Sequence, residues 1–297
     1  MRKLAKGVGG VALLAAALMS LAFAGGASAH TGEWAAFNNC PSKTEGVNKC
    51  IHSVTNGGKV VLGKKSVPIV NPVTLEGGVT QEAFEGPEEG YSRMVAAANG
   101  QTLSKTAQPV PGGLAGIVNC KEISLGWLRS ACEAVFENGV TGVNATLELA
   151  LPASNIRINQ ENLVSQAGTA LELPVKVHLE NPFLGSGCYI GSSGSPLIWK
   201  LTTGTTKPPA GKTPLKGSGG LLTFTEEAQI LHLTNSTFVE NNWSAPGASG
   251  CGGFLVELIL DPIINGMVGV PSAAGVNEAV LQNVNTTLAR AEAVNEH

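Results

Sequence analysis

Aspartate is almost missing from this chain. Asp261 is the only one among 297 residues, and it stands directly before a proline. Calcium loops built on repeated aspartates and catalysis by paired aspartates are therefore excluded. Charge is sparse, at 14% of residues, and aromatics make up 5%, too few for the two aromatic girdles of a membrane-spanning β-barrel. Basic clusters are lacking too. Beyond the N-terminal segment only Arg93, Arg129, Arg157 and Arg290 remain, scattered along the chain, so nothing is arranged to neutralise a run of phosphates and nucleic acid is excluded as a partner. No C-x-x-C spacing occurs among the six cysteines; zinc-ribbon and thioredoxin-type readings lose their main support, and neither a metal nor a cofactor is expected. Past the N-terminus no run is apolar for long enough to cross a bilayer as a helix. Residues 254–260 come nearest, but Glu257 breaks them and Asp261-Pro262 ends them.

The N-terminus itself is the exception. Arg2, Lys3 and Lys6 precede an apolar stretch over residues 8–24, and Ala27-Ser28-Ala29 follows with the small residues of a cleavage site. This reads as a signal peptide over residues 1–29, with the mature chain starting at His30. The expected localisation is secreted or cell surface, with no transmembrane helix after cleavage. Cleavage removes three of the 19 basic residues and none of the 22 acidic ones, leaving a net charge of about −6.

All six cysteines lie in the exported part, where disulfides are the default. Six cysteines allow fifteen connectivities. Spacing favours neighbours, which pairs Cys40 with Cys50, Cys120 with Cys132, and Cys188 with Cys251.

Periodicity is mostly that of strands. Leu173, Val175, Val177 and Leu179 alternate with Pro174, Lys176, His178 and Glu180; Leu197, Trp199 and Leu201 alternate with Ile198, Lys200 and Thr202; Val143 through Leu151 repeats the pattern until Pro152. Gly63-Lys64-Lys65 separates two short apolar runs as a hairpin would. Residues 31–58 read as an aperiodic opening loop closed by a disulfide, with Trp34 and Phe37 as plugs. One helix is expected over residues 124–137, capped by Ser124 and ended by Gly139. Residues 205–220 form a long Pro/Gly/Lys loop. Residues 261–275 read as a helical turn or loop. Val276, Val280, Val284 and Leu288 lie four apart and suggest a terminal helix, although Asn285-Thr286-Thr287 are weak helix formers. The expected fold is mainly β, a sandwich or barrel of antiparallel strands with one disulfide-tethered helix and long Gly/Pro-rich loops. Residues 30–297 are taken as a single domain, and 139–142 is where a sub-boundary would fall.

Catalytic motifs fail on inspection. Ser193 has Gly191 two residues before it but Ser195 two residues after, which breaks a nucleophile elbow. Gly211-Lys212-Thr213 lacks the earlier glycine of a phosphate-binding loop, and Pro208-Pro209 remove backbone donors. Glu82, Glu85, Glu88 and Glu89 flank Gly86-Pro87 and read as a solvated loop rather than a cation site. His178 and His232 sit in strands without a ligand spacing; a hydrolase would need one of them to meet a serine or glutamate in a cleft. No catalytic residue is assigned. For binding, the Cys188–Cys251 bridge brings two loops to one end of the β structure, and Tyr189, Asn241, Asn242 and Trp243 are the candidate contact residues. The competing reading packs Trp243 on that bridge as a lid of the core.

FNNCP near the mature N-terminus, LPVKVHLENPFLGSGCYIGS, LTTGTTKPP and APGASGCGG resemble a group of uncharacterised secreted proteins of high-GC Gram-positive bacteria, across most of the mature chain. That group has no established activity, so the resemblance implies export and the Cys188/Cys251 pairing, and no catalytic residue. The expected function is that of a non-enzymatic exported protein, acting by binding or as a structural component, with a cell-envelope component, glycan or protein as partner. The alternatives are a secreted hydrolase using His178 or His232, and an envelope lipid carrier or pore.

Overall fold

The computed structural model describes residues 29–83, 85–227 and 229–297. The expected leader therefore lies, but for its last residue, outside the described residues. In chain order the regular elements are β1 (Val47–Leu62), β2 (Lys65–Pro68), β3 (Val73–Thr80), β4 (Ser92–Ala96), β5 (Ala107–Pro109) and α1 (Gly126–Glu137). Then come β6 (Asn144–Leu149), β7 (Arg157–Ile158), α2 (Gln160–Ser165), β8 (Leu171–Glu180), β9 (Tyr189–Ile190) and β10 (Leu197–Leu201). The chain closes with β11 (Leu221–Thr225), β12 (Ile230–Glu240), β13 (Ala248–Ser249), α3 (Glu257–Val268), β14 (Glu278–Arg290) and α4 (Ala291–Glu296).

Every pair of these strands is antiparallel, and the fold is mainly β and sandwich-like. One half runs β11-β12-β14-β1-β3-β4. Here β1 is central: β14 pairs along its length, β3 takes the other side from Val47 to Thr55, and β2 takes that side from Lys59 to Leu62. Between the two partners lies Gly58, at φ +110°, where a Cβ would sit 2.0 Å from the carbonyl oxygen of Val280. Only glycine allows the strands to approach that closely.

The other half is built on β8. Its register with β6 and β9 overlaps at Val177 and His178, and its register with β7 and β10 overlaps at Leu171 and Glu172. Two strands cannot share one edge at the same residues, so β6 and β7 flank one side of β8, and β9 and β10 the other. The strict alternation of β8 puts Leu173, Val175, Val177 and Leu179 in the interior. The halves meet along two seams. β4 pairs with β3 and with β7; opposite, the Thr202 N–H donates to Val239 O at 3.0 Å and the Val239 N–H to Thr202 O at 2.9 Å. One apolar cluster fills the space between, drawing residues from Ile51 to Leu288.

Three disulfides join Cys40 to Cys50, Cys120 to Cys132 and Cys188 to Cys251. Such bridges suit an oxidising compartment, and no helix among the described residues is long and apolar enough to cross a membrane. The Cys120–Cys132 bridge pins α1 to the short 3-10 turn before it.

Four expectations need correction. Residues 31–58 are not all loop, because β1 begins at Val47 and, although polar, is held by partners on both sides. The α1 helix starts at Gly126, and Ser124 does not cap it; Arg129 instead donates two hydrogen bonds, of 2.9 and 2.6 Å, to Ile123 O. Residues 261–275, expected as a helical turn or loop, begin within a full helix, since α3 runs from Glu257 to Val268 with Pro262 inside it. Pro262 leaves the carbonyl of Leu258 without its intrahelical donor, but Leu258 is exposed, so water reaches that turn. Finally, the suggested terminal helix is β14 followed by the short α4. Ala279 and Leu281 are buried at odd positions and Val284, Thr286 and Leu288 at even ones, with Asn283 at φ +48° between them. A bulge that inserts one residue flips the parity of the strand, and two offset runs of period two then mimic a helical spacing.

Candidate functional site

The two loops joined by Cys188–Cys251 do lie side by side, with β13 paired to β9. The sole aspartate holds them there: Asp261 Oδ1 accepts from the Cys251 N–H at 2.9 Å and Oδ2 from the Gly250 N–H at 3.1 Å. Asn265, one helical turn on, accepts from the Ala248 N–H at 2.7 Å. Asp261 thus does a structural task on α3, and its isolation in the sequence gave no sign of that.

The four candidate contact residues are not gathered on one surface. Trp243 is 3% exposed and Asn241 4%. The Trp243 ring packs against Trp199 at 5.7 Å between centroids, inside the core. Asn241 donates from Nδ2 to Thr213 O at 3.0 Å. Tyr189 lies on the outer face of its sheet, stacked on His178 at 4.3 Å with Lys176 Nζ 4.0 Å from its ring centroid, while its neighbour Ile190 is buried. Burial, with the carboxylates of Glu148 and Glu180 alongside, pushes the Tyr189 phenol up from its ordinary pKa.

Asn242 is exposed and belongs to a separate polar cleft of about 240 Å³, shared with Lys200, Thr202, Thr206, Lys207 and Glu240. This cleft sits at the seam where Thr202 meets Val239. Glu240 is buried there and accepts from the Asn242 N–H. Burial raises its carboxyl pKa, against the opposing pull of backbone N–H groups of Asn242, Asn241 and Lys200 and the charge of Lys200. The cleft contains one carboxylate and, among the described residues, no histidine, so it does not assemble an acid–base pair.

The histidines are apart. His178 is on β8 and His232 on β12, in different halves of the sandwich. His178 Nδ1 lies 3.6 Å from Glu148 Oε1 and 3.9 Å from Glu180 Oε1. Its Nε2 is covered and without a partner, beneath the stacked Tyr189, and no serine accompanies it in these contacts. Glu88 of the acidic loop pairs with Arg93 at 3.3 Å and Arg157 at 3.0 Å. No cluster of three metal-ligating side chains occurs among the described residues.

The other candidate lies in the interior. Between the sheets lie two cavities, of about 60 and 50 Å³, and both are lined by Ile69, Val73 and Leu147. They are neighbours along the sandwich axis, the first reaching Ile190 and Val268, the second Trp199 and Phe238. Well-packed interiors hold few voids larger than one water. A cavity takes water only when two or more polar groups are free to bind it. In the first cavity the amide and hydroxyl groups are occupied. Gln108 Oε1 accepts from the Val70 and Asn71 N–H groups at 2.9 and 3.0 Å, Nε2 donates to Asn71 O at 2.8 Å, and Thr106 is hydrogen-bonded to Ser104 at 2.9 Å. In the second cavity, Ser53 is bonded to Thr286 at 2.7 Å, while the buried indole N–H of Trp199 on its wall has no partner. Val60, Lys65, Val67 and Thr106 are half-buried, which puts the opening of the first cavity where the β1–β2 hairpin meets β5. Among the described residues Lys65 is the one charged residue lining either cavity.

Sequence reading missed this site. Its only early signal is Lys65, which shares a strand face with Val67 two residues on, so period two puts a cation on the core side. Comparison with known proteins adds no further guide: no family model, curated protein or solved structure matches the chain.

Proposed function

We propose that this is a non-enzymatic exported binding protein whose ligand compartment is the apolar space between its two sheets. The observation that carries the reading is the pair of adjoining cavities with largely apolar walls, the first with its amide and hydroxyl groups internally satisfied. Such a space resists water and favours a hydrocarbon, at roughly 0.8 kcal/mol per buried methylene. Narrowness selects a linear chain over a ring system. This favours the carrier form of the alternatives over the hydrolase, whose histidines are separated and whose better-placed member is covered. The composite loop surface loses its aromatic anchor, because Trp243 is spent on packing against Trp199. Export and a place in the cell envelope belong to the same proposal, supported by the leader-like N-terminus and the three disulfides.

The test is calorimetric titration of the mature chain with dodecanol, a neutral single-chain probe. Binding with a negative heat-capacity change is expected. Val73→Phe, which puts a ring where the two cavities adjoin, is expected to abolish it while the variant still melts cooperatively. Dodecanol bound equally by that variant, or not bound by the unaltered chain, would refute the interior compartment.

A further inference from the structure

Of all the groups on the wall of the first cavity, Lys65 alone is left without a partner. Among the described residues its ammonium makes no ion pair and no side-chain hydrogen bond, whereas Lys59, Lys105 and Lys176 are paired with glutamates and Lys64 donates to Gly266 O. The position is unusual for a lysine. It opens β2 opposite Leu62, on the face that Val67 turns to the interior.

Alongside it the wall is otherwise uncharged. Gln108 and Thr106 have their hydrogen bonds filled, so they offer a ligand's head group little. Glu278 and Glu148, on strands β14 and β6, are engaged elsewhere: Glu278 with Lys59, and Glu148 with Lys105 and Lys176. A ligand whose tail lies between the sheets and whose head reaches this opening therefore meets one free cation and no competing anion.

We infer that the ligand is a single-chain anionic amphiphile, a long-chain carboxylate, seated with its tail between the sheets and its carboxylate on Lys65. This rests on reading the inter-sheet cavity as the ligand site. Partly screened from water at the opening, a charge-assisted hydrogen bond there is stronger than one on open surface. The narrow paired cavities admit one chain, which argues against two-tailed lipids.

The experiment compares dodecanoate with dodecanol on the mature chain, on Lys65→Met and on Lys65→Arg, with thermal melts to establish that each is folded. Methionine keeps the length and apolar character of the stem, so Lys65→Met is expected to fold. Dodecanoate should bind the unaltered chain more tightly than dodecanol does. Lys65→Met should weaken dodecanoate about ten-fold or more, the size of one charge-assisted hydrogen bond, and leave dodecanol within about two-fold. Lys65→Arg should retain most of the dodecanoate affinity. If Lys65→Met treats acid and alcohol as the unaltered chain does, the anionic head group is refuted and the apolar compartment stands. If Lys64→Met weakens dodecanoate while Lys65→Met does not, the head lies outside this opening and the inference also fails. If neither probe binds the unaltered chain, the compartment itself is refuted and this inference falls with it.

Discussion

Truncating Trp243 to alanine separates a loop that presents an aromatic from a loop that seals the core. The ring is 3% exposed and tilts against Trp199 at 5.7 Å. Its indole N–H has no partner, so truncation forfeits no hydrogen bond; the bond from Asn277 Nδ2 ends on the main-chain oxygen of Trp243, at 2.9 Å, and survives. What is lost is buried area and the contact with Trp199. Removing a buried large aromatic costs about 3–5 kcal/mol, of which the aromatic pair accounts for roughly 0.5–1.5. For a chain of this size each kcal/mol moves Tm by about 2–4 °C, so a fall of roughly 6–20 °C is expected. The assay is thermal unfolding followed by far-ultraviolet circular dichroism, supported by urea titration, because tryptophan fluorescence is altered by the substitution itself. Trp243→Phe should recover a large part of the loss. Asn242→Ala, one residue away and exposed, should change stability by less than about 0.5 kcal/mol. A loss under about 1 kcal/mol for Trp243→Ala would refute the packing and return the loop to its role as a contact surface.

Two further predictions use the same melts. Glu240 has its carboxyl pKa raised by burial, so the folded state holds its proton more firmly than the unfolded one; the stability this contributes is complete below the ordinary carboxyl value and is lost as pH rises through the raised one. Glu240→Gln should therefore gain on the unaltered chain as pH rises from acid to neutral, and a difference that is flat with pH, or grows toward acid, would overturn the assignment. Replacing Cys188 and Cys251 together by alanine opens a loop of 63 residues and should cost about 4 kcal/mol by loop entropy, against about 3 for Cys40 with Cys50, which are 10 apart. Equal losses would count against that account.

How far the sequence discloses the fold depends on whether a strand keeps one parity. β8 and β10 do, and their buried positions follow from alternation alone. In β12 and β14 parity breaks. Asn235 and Asn283 both take positive φ, at +54° and +48°, and the Asn235 N–H is received by Asn285 Oδ1 at 2.9 Å. Asparagine tolerates that conformation better than most residues, so an asparagine between two offset alternating runs was a usable sign of a bulge. β1 hid for another reason: a strand with partners on both edges stays in place by its ladder even when its side chains are Ser, Thr, Asn and His. The loop quartet divides by an alternation that only the structure displays. Residues 241–245 are buried and exposed by turns although they belong to no named strand, and that alternation separates Asn241 and Trp243 from Asn242.

The cavities could not be read in the same way, because a void is a property of pairs rather than of positions. Val73 and Leu147 belong to strands in opposite halves of the sandwich, and each is an ordinary core residue on its own strand. The gap exists because the side chains meeting across the interior do not sum to its width, and that sum needs the registry of both sheets. Charge escapes this limitation. A lysine turned inward on a short strand is anomalous at its own position, whatever faces it, since its ammonium must find either water or an anion. Lys65 has the wall of the cavity beside it and, among the described residues, no carboxylate paired with it. The position most informative about the proposed ligand was therefore legible in four residues of sequence, Lys65 to Pro68, once the hairpin had fixed which face of them turns inward.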